Sequence, residues 1–336
     1  MKWRSVLSIV ALVLWICVTP GVAQVKLGDL VAVAGYDWMI GDWAATGDNG
    51  QKAEFIFDWT LDKRVLLNSL QMGDFQYRGM ITLALSGLEA VEWGVDNRGG
   101  TWNGTWGADL GGIVRKVEHL GTDGQTRKGE IVIAKVGADT ITIAMYAADS
   151  SGSRSAEPVS KLTYKRRQSQ GAPARAVSET AGRAIDYWKL GDLVASGGYE
   201  WLIGKWNGNG NNQTYTVEYQ PILDKHAAFV DMKIGDFKYV GLIMYAASRQ
   251  EVVEFGADTL GRLWKIVWEQ AGDDLVNKGE LTKPDGKTEK LQQVFTKIDN
   301  DTFKVKLYSV GTDGSRASEP REQVTFKREK QAPPPK

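Results

Sequence analysis

Cysteine and histidine are almost absent from this sequence. The one cysteine, Cys17, lies in an apolar segment near the beginning of the chain, and the two histidines are His119 and His226. The rest of the chain can therefore form no disulfide framework, and it lacks the set of cysteine and histidine ligands of a typical zinc site. We expect no metal, and we expect each domain to be held together by its hydrophobic core.

Motifs of the common catalytic classes are missing as well. The chain contains no G-x-S-x-G nucleophile elbow, no Walker loop, no G-x-G-x-x-G motif after a strand and no H-E-x-x-H pair. These absences argue against several large enzyme classes, and no residue of the sequence is assigned a catalytic role.

Only one segment is both long and apolar, and it lies at the beginning of the chain. Lys2 and Arg4 precede the apolar run Val6–Val18, which is too short to span a bilayer, and Gly21-Val22-Ala23 follows it. This order is typical of a secretory signal peptide with a small-residue cleavage site. We predict that residues 1–23 are a signal peptide and that the protein is exported, to a periplasm or to the medium.

Charge is balanced over the whole chain, with 41 basic and 41 acidic residues. The sequence has no basic footprint of the kind that binds nucleic acid and no polybasic patch for a membrane surface. We therefore expect no nucleic-acid partner, and no membrane association after the signal peptide has been removed.

The remainder of the chain repeats itself. Lys26-Leu27-Gly28-Asp29-Leu30 recurs as Lys189-Leu190-Gly191-Asp192-Leu193, and Gly73-Asp74-Phe75 recurs as Gly235-Asp236-Phe237. Each copy has the size of a whole domain and is too long for a solenoid unit. We predict a duplicated domain with these boundaries: 24–167 for the first copy, 168–187 for a linker, 188–329 for the second copy and 330–336 for a disordered tail.

Alternation of apolar and polar residues predicts many antiparallel strands in each copy. Phe55, Phe57 and Trp59 alternate with Glu54, Ile56 and Asp58, and Asp-Gly pairs such as Asp123-Gly124 suit tight hairpins. Within the two copies, Asp29–Tyr36 and its repeat are the only segments that indicate a helix. The fold class is therefore all-β, with two tandem antiparallel up-and-down β-barrels, each preceded by a short helix. A two-sheet sandwich is the alternative.

A short helix followed by Gly-x-Trp at the start of the first strand resembles the calycins, the lipocalin-like superfamily. Both copies carry this opening, as Gly41-Asp42-Trp43 and Gly204-Lys205-Trp206. The longer pattern Trp-Leu-Ile-Gly-x-Trp, which the second copy carries from Trp201 to Trp206, is similar to bacterial secreted lipocalin-like domains of unknown function. The resemblance implies that the tryptophan lies at the closed end of the barrel, with a basic residue of the last strand packed across it. The implied barrel-closing pairs are Trp43 with Arg166 and Trp206 with Arg328.

Some relatives with this opening, the nitrobindin-like barrels, hold haem through a histidine. The repeat counterparts of His119 and His226 are Leu281 and Arg64, so the two copies share no histidine. We therefore expect neither haem nor any other cofactor.

Aromatic residues are the first group of candidates for a ligand site. Two tryptophans spaced four residues apart recur in both copies, and this spacing places both rings on one face of a strand. If that face points inward, the indoles line a pocket with a nearby tyrosine, as in many small-ligand sites. The alternative is that they fill the interior, since a barrel of about eight strands is just wide enough for side chains. The candidate residues are Trp102, Trp106 and Tyr77, with Trp264, Trp268 and Tyr239.

Charged residues shared by the two copies are the second group. Glu92 and Arg154 recur as Glu254 and Arg316. If they face inward, each pair could orient the polar group of a ligand. The alternative is an exposed salt bridge, which contributes only about 0–1 kcal/mol.

We therefore hypothesise an exported, non-catalytic protein whose barrels hold a small, largely apolar molecule. A second hypothesis is a structural or interaction protein with barrels filled by side chains, acting through its surface. A third is an enzyme that uses the shared glutamates and arginines in a barrel cavity. The sequence leaves open the identity of the ligand, whether both copies bind it, and the oligomeric state beyond a pair of barrels in one chain.

Overall fold

The computed structural model of the chain describes residues 25–47, 50–84, 89–109, 112–167, 189–210 and 213–330. The predicted signal peptide (1–23) and linker (168–187) lie outside these ranges, as does nearly all of the predicted tail (330–336). Within the described ranges, no helix combines the length and the apolar character needed to cross a bilayer.

Each copy of the repeat forms a closed barrel of ten antiparallel strands in up-and-down order. The strands of barrel 1 are β1 (Gly41–Thr46), β2 (Lys52–Thr60), β3 (Val65–Met72), β4 (Phe75–Leu83), β5 (Ala90–Asp96), β6 (Thr101–Asp109), β7 (Gly112–Leu120), β8 (Thr126–Gly137), β9 (Thr140–Ala148) and β10 (Ser160–Arg166). Those of barrel 2 are β11 (Gly204–Gly210), β12 (Gln213–Ile222), β13 (Ala227–Ile234), β14 (Phe237–Ala246), β15 (Glu251–Asp258), β16 (Leu263–Ala271), β17 (Asp274–Thr282), β18 (Thr288–Lys297), β19 (Thr302–Val310) and β20 (Glu322–Arg328). The prediction of two tandem up-and-down barrels is confirmed, and the sandwich alternative is wrong.

A short helix precedes each barrel, as predicted: α1 (Leu27–Val33) and α2 (Leu190–Ser196). Seven residues are too few for a helix that is stable by itself, so the barrel must hold it in place. The Gly28 N–H donates to the Lys63 carbonyl at 2.9 Å. A Cβ atom on Gly28 would lie 2.6 Å from the Lys63 Cβ, so this close approach requires glycine.

A tryptophan and an arginine are in contact at the helix end of each barrel. Trp43 is 1% exposed, and its indole N–H donates to the Met39 carbonyl at 2.8 Å. The Arg166 guanidinium lies 4.2 Å from the centroid of this indole and donates to the carbonyls of Ile40 and Trp38 at 2.7 and 2.5 Å. In barrel 2 the Arg328 guanidinium lies 4.1 Å from the ring centroid of Trp206. Both pairs implied by the resemblance are therefore in contact.

The two barrels pack against each other through their outer faces. One buried apolar cluster contains residues of both, including Val65, Met80, Val240 and Leu242. At this interface Trp93 stacks on Phe255, with the ring centroids 5.5 Å apart and the planes 1° from parallel. Phe255 is the repeat counterpart of Trp93. A residue that contacts its own counterpart lies beside a two-fold axis, so the interface has approximate two-fold symmetry.

We predict that Arg166→Met lowers the free energy of unfolding by about 2–4 kcal/mol. The substitution removes two charge-assisted hydrogen bonds and the contact with the Trp43 indole, each of which contributes on the order of 1 kcal/mol or more. Urea unfolding of the full chain measures this change. Lys165→Met, at the exposed neighbouring position, is the control and should change stability by less than about 0.5 kcal/mol. Equal effects of the two substitutions would contradict the assigned role of Arg166.

Candidate functional site

A buried carboxylate lies inside each barrel. Glu92 on β5 is 1% exposed, and its counterpart Glu254 on β15 is 2% exposed. Their inward orientation follows from the alternation of the strand: Trp93 and Val95 belong to the outer face that meets the other barrel, so Glu92 must point inward. An ionised carboxylate in such a place is strongly unfavourable unless it is paired and hydrogen-bonded. The groups that pair with the carboxylate therefore determine whether it can be ionised.

In barrel 1 the carboxylate of Glu92 has a full set of partners. Oε1 accepts hydrogen bonds from the Tyr77 hydroxyl at 2.5 Å and from Asn68 Nδ2 at 2.7 Å, and Oε2 accepts one from Trp106 Nε1 at 2.7 Å. Arg115 Nε lies 2.6 Å from Oε2; its N–H is not aimed along this line, so the contact is an ion pair without a linear hydrogen bond. Arg115 also donates to the tyrosine oxygen at 2.9 Å. Four side chains thus stabilise one buried negative charge.

Three aromatic rings surround the guanidinium of Arg115. Its Cζ atom lies 5.1 Å from the ring centroid of Tyr77, 5.8 Å from that of Trp102 and 5.9 Å from that of Trp106. These distances lie within the range of cation–π attraction. We call these three rings the aromatic cage of barrel 1, and their counterparts Tyr239, Trp264 and Trp268 the aromatic cage of barrel 2.

Two glycines fix the tyrosine of each cage. Gly79 and Gly94 are paired across β4 and β5, and Tyr77 lies over them. A Cβ atom would come within 2.4 Å of the tyrosine hydroxyl at Gly79 and within 2.1 Å at Gly94. Barrel 2 has the same arrangement, with Gly241 and Gly256 under its tyrosine. Any larger side chain at these positions would displace the ring from the carboxylate.

Barrel 2 keeps the carboxylate and the cage but lacks the arginine. Glu254 accepts hydrogen bonds from Tyr239 at 2.5 Å and from Trp268 Nε1 at 2.9 Å. Asn277 replaces the arginine, and its side-chain amide donates to Gln293 at 2.7 Å. In the described part of the chain, no basic side chain forms an ion pair with Glu254. Burial raises the pKa of Glu254 to about 7, and the hydrogen bonds from the tyrosine and the tryptophan offset only part of that rise.

A second carboxylate lies on the same face of β5, four residues further on. Asp96 accepts a hydrogen bond from Trp102 Nε1 at 2.8 Å, and His119 Nε2 lies 3.2 Å from it. Burial raises the pKa of Asp96, but these two side chains and two backbone N–H groups outweigh that effect, so the pKa is lowered overall. The imidazole of His119 also stacks on the Trp102 indole at 4.2 Å.

In barrel 2 the matching aspartate, Asp258, binds a basic group that comes from a different segment, the turn before β16. Trp264 Nε1 donates to it at 2.8 Å, as in barrel 1, but the cation is Arg262, whose Nε lies 2.7 Å away. The repeat counterparts of His119 and Arg262 are Leu281 and Gly100. A Cβ atom on Gly100 would lie 2.1 Å from the His119 Nε2, so the histidine and the arginine exclude each other within one barrel.

The aromatic candidates and the shared glutamates of the sequence meet at these sites. The six aromatic residues point inward and contact the buried carboxylates, and both glutamates are buried rather than exposed. Trp102, Trp106 and Trp264 remain partly exposed, whereas Trp268 is 9% exposed and counts as buried.

The predicted pairing of the glutamates with the shared arginines does not form. Arg154 lies on the outer surface, where its Cζ is 4.7 Å from the Tyr146 ring centroid and its Nη1 is 3.5 Å from Glu130. Arg316 has the same exposed position in barrel 2, over the ring of Tyr308 at 4.5 Å. The wall of the barrel separates these arginines from the inward glutamates. The true partner of Glu92 is Arg115, which a search for shared charges misses because barrel 2 has asparagine at that position.

Two clefts open on barrel 1. One, of about 380 Å³, lies where β1 and β10 diverge and includes the core residues Ala45 and Ala53 among its lining. The other, of about 550 Å³, lies over β6, β7 and β8 and is lined by Trp106 and Arg154 among others. In the described residues, no group of three or more histidine, aspartate or glutamate side chains is placed to hold a metal ion.

No protein-family model matches the chain, and no curated protein matches it. Among solved structures, a protein of unknown function of the DUF3598 family from Nostoc punctiforme is similar over 86% of this chain and 94% of its own, with 11% identity and a TM-score of 0.21. A variant of the vaccine antigen transferrin binding protein B from Haemophilus parasuis is similar over 85% of this chain and 73% of its own, with 8% identity and a TM-score of 0.16. Neither similarity carries an argument about the function of this chain.

We predict that the carboxyl group of Glu254 titrates with a midpoint at about pH 7, above its ordinary value of 4.5. Because the folded state holds this proton more tightly than the unfolded state, the free energy of unfolding falls as pH rises through that window, by about 3 kcal/mol in all. Carbon-13 NMR of the glutamate carboxyl groups measures the midpoint. Glu254→Gln identifies the resonance and should remove this part of the pH dependence of stability. A midpoint near 4.5 would contradict the prediction.

Proposed function

We propose that the protein is an exported, non-catalytic binding protein that holds a small, largely apolar molecule inside a lipocalin-like barrel. Export rests on the signal-peptide pattern of residues 1–23. The lipocalin-like character is supported by the short helix and the tryptophan–arginine pair at one end of each barrel. One observation carries the binding proposal: Trp102 and Trp106 point into barrel 1 but remain partly exposed. Indoles inside a sealed and filled barrel would be buried.

We propose that the seam between the first and last strands is the route to the interior of barrel 1. There β1 and β10 are paired at only two positions, whereas β11 and β20 are paired at four. The cleft of about 380 Å³ lies at this seam. In barrel 2 the hydroxyl of Tyr215 hydrogen-bonds to Glu322 across the seam. Barrel 1 has the much smaller Ala53 and Ser160 at the two matching positions, so its seam lacks this closure.

The inner wall next to the seam suits an apolar ligand. From Ala53 the inward positions of β2 continue with Phe55 and Phe57, whose rings pack edge to face at 4.5 Å. Phe57 in turn packs against Trp106 at 6.1 Å. The main buried charges, Glu92 and Arg115, are already paired with each other. A ligand would therefore be held mainly by aromatic and aliphatic surface, as in most small-molecule sites.

A barrel filled by side chains is the second candidate, and it is supported at the helix end of barrel 2. Phe303 is fully buried there, stacks on Phe326 at 4.9 Å and meets Trp206 edge to face at 4.7 Å. The enzyme hypothesis has less support in barrel 1, because Glu92 is engaged by four side chains and is not free to act as an acid or a base.

We predict that closing the seam of barrel 1 with the residues of barrel 2 weakens ligand binding by about tenfold or more, that is, by at least about 1.4 kcal/mol. The variant is Ala53→Tyr combined with Ser160→Glu, and the probe is N-phenyl-1-naphthylamine, a neutral apolar fluorophore. Fluorescence titration of the full mature chain gives the dissociation constant. Native mass spectrometry of the protein from its own host would identify the natural ligand.

Tyr215→Ala in barrel 2 is the matched control, and it should leave the affinity of barrel 1 for the probe unchanged. If the closed-seam variant binds the probe as well as the unaltered protein does, the proposed route is wrong. If neither protein binds the probe and the native protein carries no extra mass, barrel 1 is filled by its own side chains.

A further inference from the structure

The two aromatic cages have nearly the same geometry. Tyr77 and Trp102 meet edge to face at 5.7 Å and 75° in barrel 1, and Tyr239 and Trp264 meet at 5.7 Å and 78° in barrel 2. In each cage the tyrosine donates to one oxygen of the glutamate and a tryptophan donates to the other. The second cage therefore places the same three ring types around the same carboxylate, and Phe295 packs in addition against Trp268 at 5.1 Å.

In the described part of the chain, only the first cage contains a cation that is paired with the glutamate. The Arg115 guanidinium lies between the three rings and is paired with Glu92, so barrel 1 shows what this arrangement accommodates. At the matching position in barrel 2, Asn277 is much shorter, and its amide donates to Gln293 rather than to Glu254. Arg262 lies over Trp264 at 5.5 Å, but its guanidinium is paired with Asp258 and not with Glu254.

Among the described residues, no basic side chain gives the carboxylate of barrel 2 the counter-charge that its counterpart has. Burial therefore raises the pKa of Glu254 to about 7. A cation held within the cage would supply this counter-charge and would gain both ion-pair and cation–π energy in a desolvated site. Trp264 is partly exposed, so the edge of the cage is accessible from solvent.

We propose that the aromatic cage of barrel 2, with Glu254, binds a small organic cation that carries a guanidinium or alkylammonium group, in the place that the Arg115 guanidinium occupies in barrel 1. This inference goes beyond the apolar ligand proposed for barrel 1, since it concerns a different barrel and a different ligand class. In barrel 1 the side chain of Arg115 then supplies the cationic group that barrel 2 binds from solution.

The test uses methylguanidine as the probe and methylurea, which has nearly the same shape and no charge, as its control. Nitrogen-15 NMR of the full mature chain follows the indole N–H resonances. We expect methylguanidine to shift those of Trp264 and Trp268, to leave that of Trp106 in place, and methylurea to shift none of them. Equal responses to the two probes, or no response of Trp264 and Trp268 up to the solubility limit of methylguanidine, would overturn the proposal.

Two variants separate a specific site from a general effect. Glu254→Gln keeps the shape of the side chain and removes the charge, and it should weaken methylguanidine binding by about tenfold or more. Asn277→Arg places the arginine of barrel 1 in the second cage, and it should abolish binding by occupying the site. If Asn277→Arg does not fold, Glu254→Gln alone decides: unchanged affinity in that variant overturns the proposal. Neither result depends on the seam of barrel 1, so the two proposals can fail separately.

Discussion

The buried glutamate inside each barrel constrains the side chains around it. An ionised carboxylate without a partner would destabilise the fold by several kcal/mol, so nearby groups must hydrogen-bond it, neutralise it or keep it protonated. The tyrosine and the tryptophan that donate to it recur in both barrels, and so do the glycines that let the tyrosine ring lie close to it. Barrel 1 then neutralises Glu92 with Arg115. In the described part of barrel 2 no such cation pairs with Glu254, and burial raises the pKa of its carboxyl group.

The two copies of the domain pair their buried carboxylates with different basic groups, and the comparison between them reveals this constraint. At Asp96 and Asp258 each barrel also supplies one basic group, but His119 comes from β7 and Arg262 from the turn before β16. Each needs a small or apolar residue where the other copy has its basic group. Such paired exchanges indicate that the polar interior is a unit in which residues change together. The outer faces of the strands have a separate role: they pack the two barrels together, with Trp93 stacked on Phe255.

The fold could be predicted from the sequence because its signals are local. The alternation of apolar and polar residues, the Asp-Gly turns and the repeat were sufficient to predict two barrels of antiparallel strands. The spacing of four in Trp102 and Trp106 correctly placed both indoles on one face. Alternation alone could not identify the interior face of β5, since Trp93 is apolar and packs against the second barrel while Glu92 is charged and points inward. When both faces of a strand are buried, polarity no longer distinguishes them.

The polar partners could not be predicted, for two physical reasons. Arg115 is the cation of barrel 1, but repeat identity points away from it because barrel 2 has Asn277 there. Arg154 is shared by both copies, yet it follows β9 in a loop where alternation no longer applies, and it lies on the outer surface. The pairing of charges across strands β5 and β7 depends on the register of the closed barrel, which residue patterns do not contain. Asp96 was missed because an aspartate before a turn normally suggests only the turn.

A double-mutant cycle on Glu92 and Arg115 tests the central claim most directly. Unfolding of the full chain would be measured for Glu92→Gln, for Arg115→Met and for the double variant. Each single substitution leaves a buried group without its partner and should destabilise the protein by about 3–5 kcal/mol. The double substitution removes both charges and should cost much less than the sum, with a coupling energy of about 2 kcal/mol or more. Additive effects would show that the two side chains do not depend on each other, and would contradict the account of a carboxylate that organises the barrel interior.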